Sequence, residues 1–222
     1  MDVNILPSIT TTNHEISKIQ IRELEQNSSI QEIGLFITGL NSNKERLHFL
    51  QFIKDKLPNI SIPFSHVRID SAPEELEFLT NNFGTKLFNI HGNHSDEFEN
   101  SNIFKYRDRM LAENSHTLNK SQMKNFAGCC IDLSHYYEDL KNNKDWVEDL
   151  EFVAGLFPIK ANHISAVRKG NIWYAEHINN YKSDMDYLKE IDKKYFGEYM
   201  CLELENTILK QLEIINYIKS IL

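Results

Sequence analysis

The chain has 222 residues, a 41 % apolar fraction and 13 Phe beside 9 Tyr, enough to build one domain over residues 1–222 with a sizeable core. Its net charge of −8 speaks against a general polyanion binder, so no nucleic-acid partner is expected. Three cysteines, two of them adjacent, form no disulfide framework and suit a reducing cytoplasm, and neither a signal-peptide pattern nor a membrane-length apolar run of ~20 residues is visible.

Residues 1–15 are polar and read as an extension or a loose first element. Ser17 to Arg22 alternates apolar and polar residues, which predicts a strand, although the first strand could instead lie within the first six residues. Ile33 to Gly39 is nearly all apolar, as a strand buried on both faces should be. Leu47, Leu50, Ile53 and Leu57 recur at helical spacing until Pro58 stops the segment. Phe64 to Asp70 is the next predicted strand. Ser71-Ala-Pro-Glu-Glu starts a helix that Gly84 ends.

The alternation continues with a strand over 86–91, a polar loop over 92–102, a strand over 109–113, a helical turn over 121–126 and a strand over 128–132. A helix over 145–157 is stopped by Pro158 and followed by a strand over 159–163. Residues 167–183 are irregular and aromatic, with Trp173 and Tyr174 placed to cover a pocket. A helix over 184–194, a strand over 198–204 and a helix over 206–221 complete the chain. Alternating β and α elements imply a parallel sheet. About eight such units suggest an α/β fold of the (β/α)8 TIM-barrel type, somewhat short and with an irregular N-terminal part; a doubly wound open sheet is the alternative.

In a parallel barrel the site lies at the C-terminal strand ends, which here carry His91, Glu113, Asp132, His163 and Glu203. Three carboxylates converging in partly low dielectric would repel one another, and a divalent cation relieves that repulsion. The mixed O and N donors suit Mn²⁺, Zn²⁺ or Co²⁺, and the lack of thiolates disfavours a closed structural zinc site. His94 and Glu205 are further possible members. His116 follows Glu113 too closely to be aimed inward. Cys129 and Cys130 read as core.

Glu113-Asn114, Asp132-Leu-Ser-His135, His163 and the Leu202-Glu-Leu-Glu205 ending together resemble the metal-site motifs of the xylose-isomerase-like TIM barrels. That superfamily includes sugar isomerases, ketose 3-epimerases, inosose dehydratases and the type IV apurinic endonucleases. The resemblance runs from about Phe88 to Asn206. It implies a divalent metal held by Glu113, Asp132, His163 and Glu203, with Glu113 and Glu203 also moving the proton through a metal-bound enediolate. His91, His135, Arg168 and His177 would then contact substrate.

The implied function is isomerisation or epimerisation of a small sugar or polyol in carbohydrate metabolism. The partner would be a small carbohydrate, with no membrane and a possible homo-oligomer. The alternatives are a metal-dependent dehydratase or lyase, an apurinic-endonuclease-like phosphodiesterase, and a silent ligand-binding barrel. The endonuclease branch uses three metals. Against that pattern Ala175 replaces the Asp of an Asp-x-His motif ending at His177, and a strand expected to end in His is read as ending at Asp70.

Overall fold

The structure is a computed structural model that describes residues 3–114 and 117–222; His116 lies outside the described residues. In chain order the elements are β1 (Asn4–Leu6), β2 (Ser8–Thr10), α1 (His14–Gln26), β3 (Glu32–Phe36), α2 (Asn43–Lys56), β4 (Ser61–His66), α3 (Pro73–Phe83) and β5 (Leu87–His91). There follow α4 (Ser95–Glu99), β6 (Met110–Glu113), β7 (Cys129–Asp132), α5 (Leu133–Lys141), α6 (Val147–Leu156) and β8 (Ile159–Ile164). The last are β9 (Ala166–Lys169), β10 (Trp173–Glu176), β11 (Tyr199–Leu202) and α7 (Ile208–Ile221).

Nine of these strands form one parallel sheet in the order β1-β11-β8-β7-β6-β5-β4-β3-β2. The two ends of that order are neighbours in sequence. β1 pairs with β11 and β2 pairs with β3, with only Pro7 between them, so the sheet curls into a nearly closed barrel through one interrupted strand. Pro7 lacks an N–H for the ladder, but its carbonyl accepts from Gly34 N–H at 2.9 Å. A Cβ on Gly34 would lie 2.7 Å from Ser8 Oγ and 2.8 Å from Cys201 Sγ, so only glycine permits this approach of β2 and β11.

This corrects the reading of residues 1–15 as a polar extension. Ser8, Thr10 and Thr11 are buried, and their polarity belongs to the barrel wall. The strand predicted over 17–22 is instead the middle of α1. Its buried face is Ser17, Gln20, Ile21 and Leu24, a helical spacing masked by two polar members. Gln20 is polar for a reason: its Oε1 accepts from Thr10 N–H at 3.1 Å, and its amide donates to Asn206 O at 2.8 Å.

Two further corrections bear on function. β4 begins at Ser61 and ends at His66, not at Asp70, so the strand end carries a histidine. The segment 167–183 contains the antiparallel pair β9–β10, where Trp173 stands opposite Lys169 and Glu176 opposite Ala166. The helix expected over 184–194 is a 3₁₀ segment at Lys182–Glu190, and an unpredicted helix, α5, starts directly after Asp132. Gly84 ends α3 in the left-handed conformation, φ 68°, as expected of a C-terminal glycine.

Leu6, Phe36, Phe64, Leu111, Cys130, Ala161, Tyr199 and Cys201 come from seven different strands and make the apolar plug inside the barrel. Two larger clusters pack the strands against the helices. His163 rests on the plug, its ring 4.7 Å from Phe36 and 5.5 Å from Phe64.

Candidate metal centre

Strand register places the polar groups above this plug. His91 stands beside Glu113, Asp132 beside His163, and His163 beside Cys201. One ligand atom from each of Glu113, Asp132, His163 and Glu203 lies within 4.8 Å of the others, and so do ligand atoms of His66, Glu113 and His163. Glu113 and His163 belong to both groups. The Glu113 carboxylate faces two ways. Its Oε1 is 3.2 Å from His163 Nδ1 and 4.0 Å from His91 Nε2, while Oε2 is 3.4 Å from His66 Nδ1 and accepts from Asn89 Nδ2. Glu203 Oε2 closes the group at 3.5 Å from His163 Nδ1. His66 stacks on His163 at 5.1 Å and meets His91 edge-on at 5.0 Å.

Asp132 is fixed by its own helix. As the N-cap of α5, its Oδ1 accepts from Ser134 N–H at 2.8 Å, Ser134 Oγ at 2.7 Å and His135 N–H at 3.0 Å. Its backbone N–H donates to Asn114 Oδ1 at 2.7 Å, and its carbonyl accepts from Asn114 Nδ2 at 3.2 Å, which fastens β7 to the end of β6. The other oxygen, Oδ2, is buried and has no hydrogen-bond partner among the described residues.

His66 Nδ1 and both ring nitrogens of His163 are in the same condition. Buried polar atoms without partners are costly, and here Asp132 Oδ2, His66 Nδ1 and one ring nitrogen of His163 belong to two donor groups that overlap at Glu113. A divalent cation would satisfy them, so the donor set fits Mn²⁺, Zn²⁺ or Co²⁺.

The charges agree with that fit. Burial would raise the Glu113 carboxyl, but His163 and His66 beside it hold it below the usual carboxylate range. Burial would lower His163, but Cys130 and Glu113 outweigh it and push the imidazole well above its ordinary value. Of these two, Glu113 carries the effect near neutral pH, because burial has pushed the Cys130 thiol up to about 12 and left it uncharged. Burial depresses His66 to about 3, leaving a neutral imidazole ready to bind a cation. Burial raises Glu203, against the pull of His163 and His177.

The remaining predicted residues sit around this cluster. His135 Nε2 is 3.8 Å from Asp132 Oδ2, and its Nδ1 is 3.5 Å from Glu138 Oε2, so its half-buried ring stands at the mouth. Asp132 above all, then Glu138, raises its pKa against burial. His177 Nδ1 lies 3.1 Å from the Glu203 carbonyl oxygen. His94 stacks near His91 at 6.2 Å and pairs with Glu97 at 3.2 Å. Thr38, His66, Arg68, His91 and His94 line a cleft of about 160 Å³ that opens the cluster to solvent. A larger cleft, about 600 Å³, lies at the opposite end of the barrel, where residues 56–60 meet the end of α1.

Two predicted residues are held elsewhere. Glu205 Oε1 accepts from Thr12 Oγ1 at 2.8 Å, which turns this carboxylate toward the β2–α1 loop. Arg168 is engaged by Glu176, by Asp184 Oδ2 at 3.1 Å and by the Ile178 carbonyl at 2.8 Å, and it fastens the β9–β10 hairpin. Trp173 packs edge-on against Tyr137 at 5.5 Å rather than over the cluster. The residue that sequence reasoning missed is His66. A strand of ordinary length counted from Ser61, just past the Pro58 turn, ends on it.

No protein-family model and no curated protein matches this chain. Among solved structures, 13 chains match. One of them, titled Crystal Structure of SacUVDE, a UV damage endonuclease, is similar over 99 % of this chain and 99 % of its own, with a TM-score of 0.50 and 15 % identity. The expectation that nucleic acid is excluded as a partner is therefore corrected: the same architecture serves a DNA-repair endonuclease. Net charge summed over a whole chain does not report the charge at one mouth. What the likeness shows is the fold, so this chain is a parallel α/β barrel of the TIM-barrel type, without assignment to the xylose-isomerase-like branch in particular.

Proposed function

We propose that this chain is a divalent-metal-dependent hydrolase of phosphodiester bonds in nucleic acid. The observation that carries the reading is the position of Glu113 between two overlapping ligand groups, one completed by His66 and the other by Asp132 and Glu203. A carboxylate that faces nitrogen donors on both sides suits more than one cation, and paired cations suit phosphoryl chemistry. The likeness to a UV damage endonuclease supports the same reading. A single-metal isomerase needs neither His66 nor a carboxylate shared in this way.

Glu113, Asp132, His163 and Glu203 would hold one cation, and His66 and the other oxygen of Glu113, with His91 beside them, a second. The chemistry such cations supply is stabilisation of charge on the phosphoryl oxygens and activation of water. The protein's own groups orient and exclude. Asn89 and Asn114 hold Glu113 and Asp132 in place. The Phe36 and Phe64 rings seal the floor under His163 against solvent. At the mouth, His135 beside Asp132 is placed to donate a hydrogen bond or a proton to a substrate oxygen.

The test is nicking of supercoiled plasmid, untreated, UV-irradiated or carrying abasic sites, by Mn²⁺-loaded protein. Nicking that Glu113→Gln abolishes is the expected result. Absence of nicking on all three plasmids, with solvent deuterium entering a ketose, would overturn the reading in favour of proton transfer.

A further inference from the structure

Resting on the reading of Asp132 and His163 as metal ligands, we propose that Ser134 and Ser165 are positioning residues, a clasp that fixes the spacing of those two ligands for the cation. The chain repeats one pattern at two adjacent strand ends, Asp132-Leu-Ser134 and His163-Ile-Ser165. β7 and β8 run parallel, and the last pair in their ladder is Asp132 beside His163. Each serine stands two residues past its ligand. Beyond the end of the ladder the two hydroxyls meet at 2.8 Å, and all four residues are buried.

The protons of the clasp run one way. A carboxylate oxygen only accepts, so the single Ser134 hydroxyl proton goes to Asp132 Oδ1, at 2.7 Å. The Ser134 oxygen is left to accept, and it does so from Ser165 N–H and from Ser165 Oγ, each at 2.8 Å. Hydrogen bonds in such a chain polarise one another, which strengthens the bond that reaches the carboxylate.

The clasp does what the helix cap does not. The N–H groups of Ser134 and His135 that also reach Asp132 Oδ1 belong to α5, the helix Asp132 itself caps, and they move with it. The Ser134 hydroxyl, held by Ser165, instead refers the carboxylate to the residue just after β8, the strand that carries His163. With three donors on Oδ1, the carboxylate cannot turn, and Oδ2 is the oxygen left for a cation. Asp132 is thereby set to bind through one oxygen. Tyr187 Oη donates to the Ser165 carbonyl at 3.1 Å, a bond that holds the backbone there and takes no part in the hydroxyl chain.

The experiment is titration of metal-free protein with Co²⁺, read by visible absorption and by competition with a chelator. Ser134→Ala should weaken Co²⁺ binding about 10- to 100-fold, the loss expected when an outer partner of a ligand is removed. Its Co²⁺ spectrum should also change, because the released carboxylate can turn and offer both oxygens. Ser165→Ala keeps the N–H that donates to Ser134 and removes one hydroxyl donor, so it should weaken binding in the same direction by less. Tyr187→Phe, which loses a bond of the same segment outside the hydroxyl chain, should match wild type in affinity and spectrum.

Wild-type affinity and spectrum in both serine variants would overturn the proposal, as would the same result in Ser165→Ala alone if Ser134→Ala does not fold. An equal loss in Tyr187→Phe would also overturn it, by tracing the effect to a loosened segment. Co²⁺ binding that depends on Ser134 in a protein that nicks no plasmid would leave the clasp standing and remove the hydrolase. Plasmid nicking with unimpaired Co²⁺ binding by Ser134→Ala would do the reverse.

Discussion

Glu113 and His163 meet at 3.2 Å on top of the barrel plug, and each is shared by the two groups of donors that could hold a cation. Glu113 can give one oxygen to each group, so removing it takes a donor from both at once. Glu113→Gln should therefore lower metal affinity by at least the roughly 100-fold that loss of an outer partner alone can cost. Glu205→Gln should leave bound metal unchanged, since that carboxylate is turned to Thr12. Elemental analysis of dialysed proteins checks both; metal retained in full by Glu113→Gln would sink the site.

Asp132 does two jobs with two oxygens, and two substitutions should separate them. Asp132→Asn keeps an acceptor for the N–H groups of Ser134 and His135, so α5 keeps its cap while the unpartnered Oδ2 is lost as a carboxylate. The metal-free Asn variant should melt at or above the wild-type temperature and gain little from added Mn²⁺. Asp132→Ala loses the cap as well and should be less stable than the Asn variant by about 1 kcal/mol. Thermal melts with EDTA and with Mn²⁺ test the pair.

The same cluster predicts how stability should change with pH. The Glu113 carboxyl is held below its ordinary 4.5, so its stabilisation is present above that value and is lost as the pH falls toward the folded value. His163 is raised well above its ordinary 6.5, so its stabilisation is complete below 6.5 and is lost as the pH climbs through the raised value. Metal-free protein should lose stability on both sides of that window. Bound cation takes the place of the His163 proton, so metal-loaded protein should gain, not lose, on the alkaline side. Melting temperatures with EDTA and with Mn²⁺ should diverge as pH rises; parallel curves would contradict the proposed ligand role of His163.

A buried ion pair away from the centre should matter for the loops around it. Arg46, on α2, pairs through two nitrogens with Glu75 on α3 at 2.7 and 3.1 Å, and also donates to the carbonyls of Leu40 and Asp70. Glu75→Ala would leave the Arg46 guanidinium buried without its partner and should cost about 3–5 kcal/mol. Denaturant unfolding with unchanged slope would measure it.

Much of the candidate centre was legible because strand ends in a parallel barrel follow a simple rule. Glu113 and Asp132 end apolar runs, and His163 and Glu203 stand within one residue of a strand's end. His66 was hidden because Val67 and Ile69 prolong the apolar pattern past the true end of β4, and the chain turns there for tertiary reasons. β1 lies within the first six residues, the alternative place for the first strand, but β2 was hidden because Ser8 and Thr10 put hydroxyls where a buried strand ordinarily shows aliphatic residues. α5 was hidden because it follows Asp132, the last residue of β7 and its own N-cap, without a loop between strand and helix to mark a boundary. In each case the missing information lay in what the segment packs against, which no local pattern encodes.

The interrupted strand at the N-terminus also sets an order of assembly. Asn4, Ile5 and Leu6 pair with Tyr199, Met200 and Cys201, so closing the barrel joins parts of the chain far apart in sequence. Contacts of such separation carry the largest loop-closure entropy and belong late in folding. Glu203 follows β11 directly, so it is the last of the four carboxylate and imidazole donors to be fastened, after Glu113, Asp132 and His163 have been aligned by neighbouring strands. Tight metal uptake during refolding would thus time the sealing of the barrel and not its early collapse.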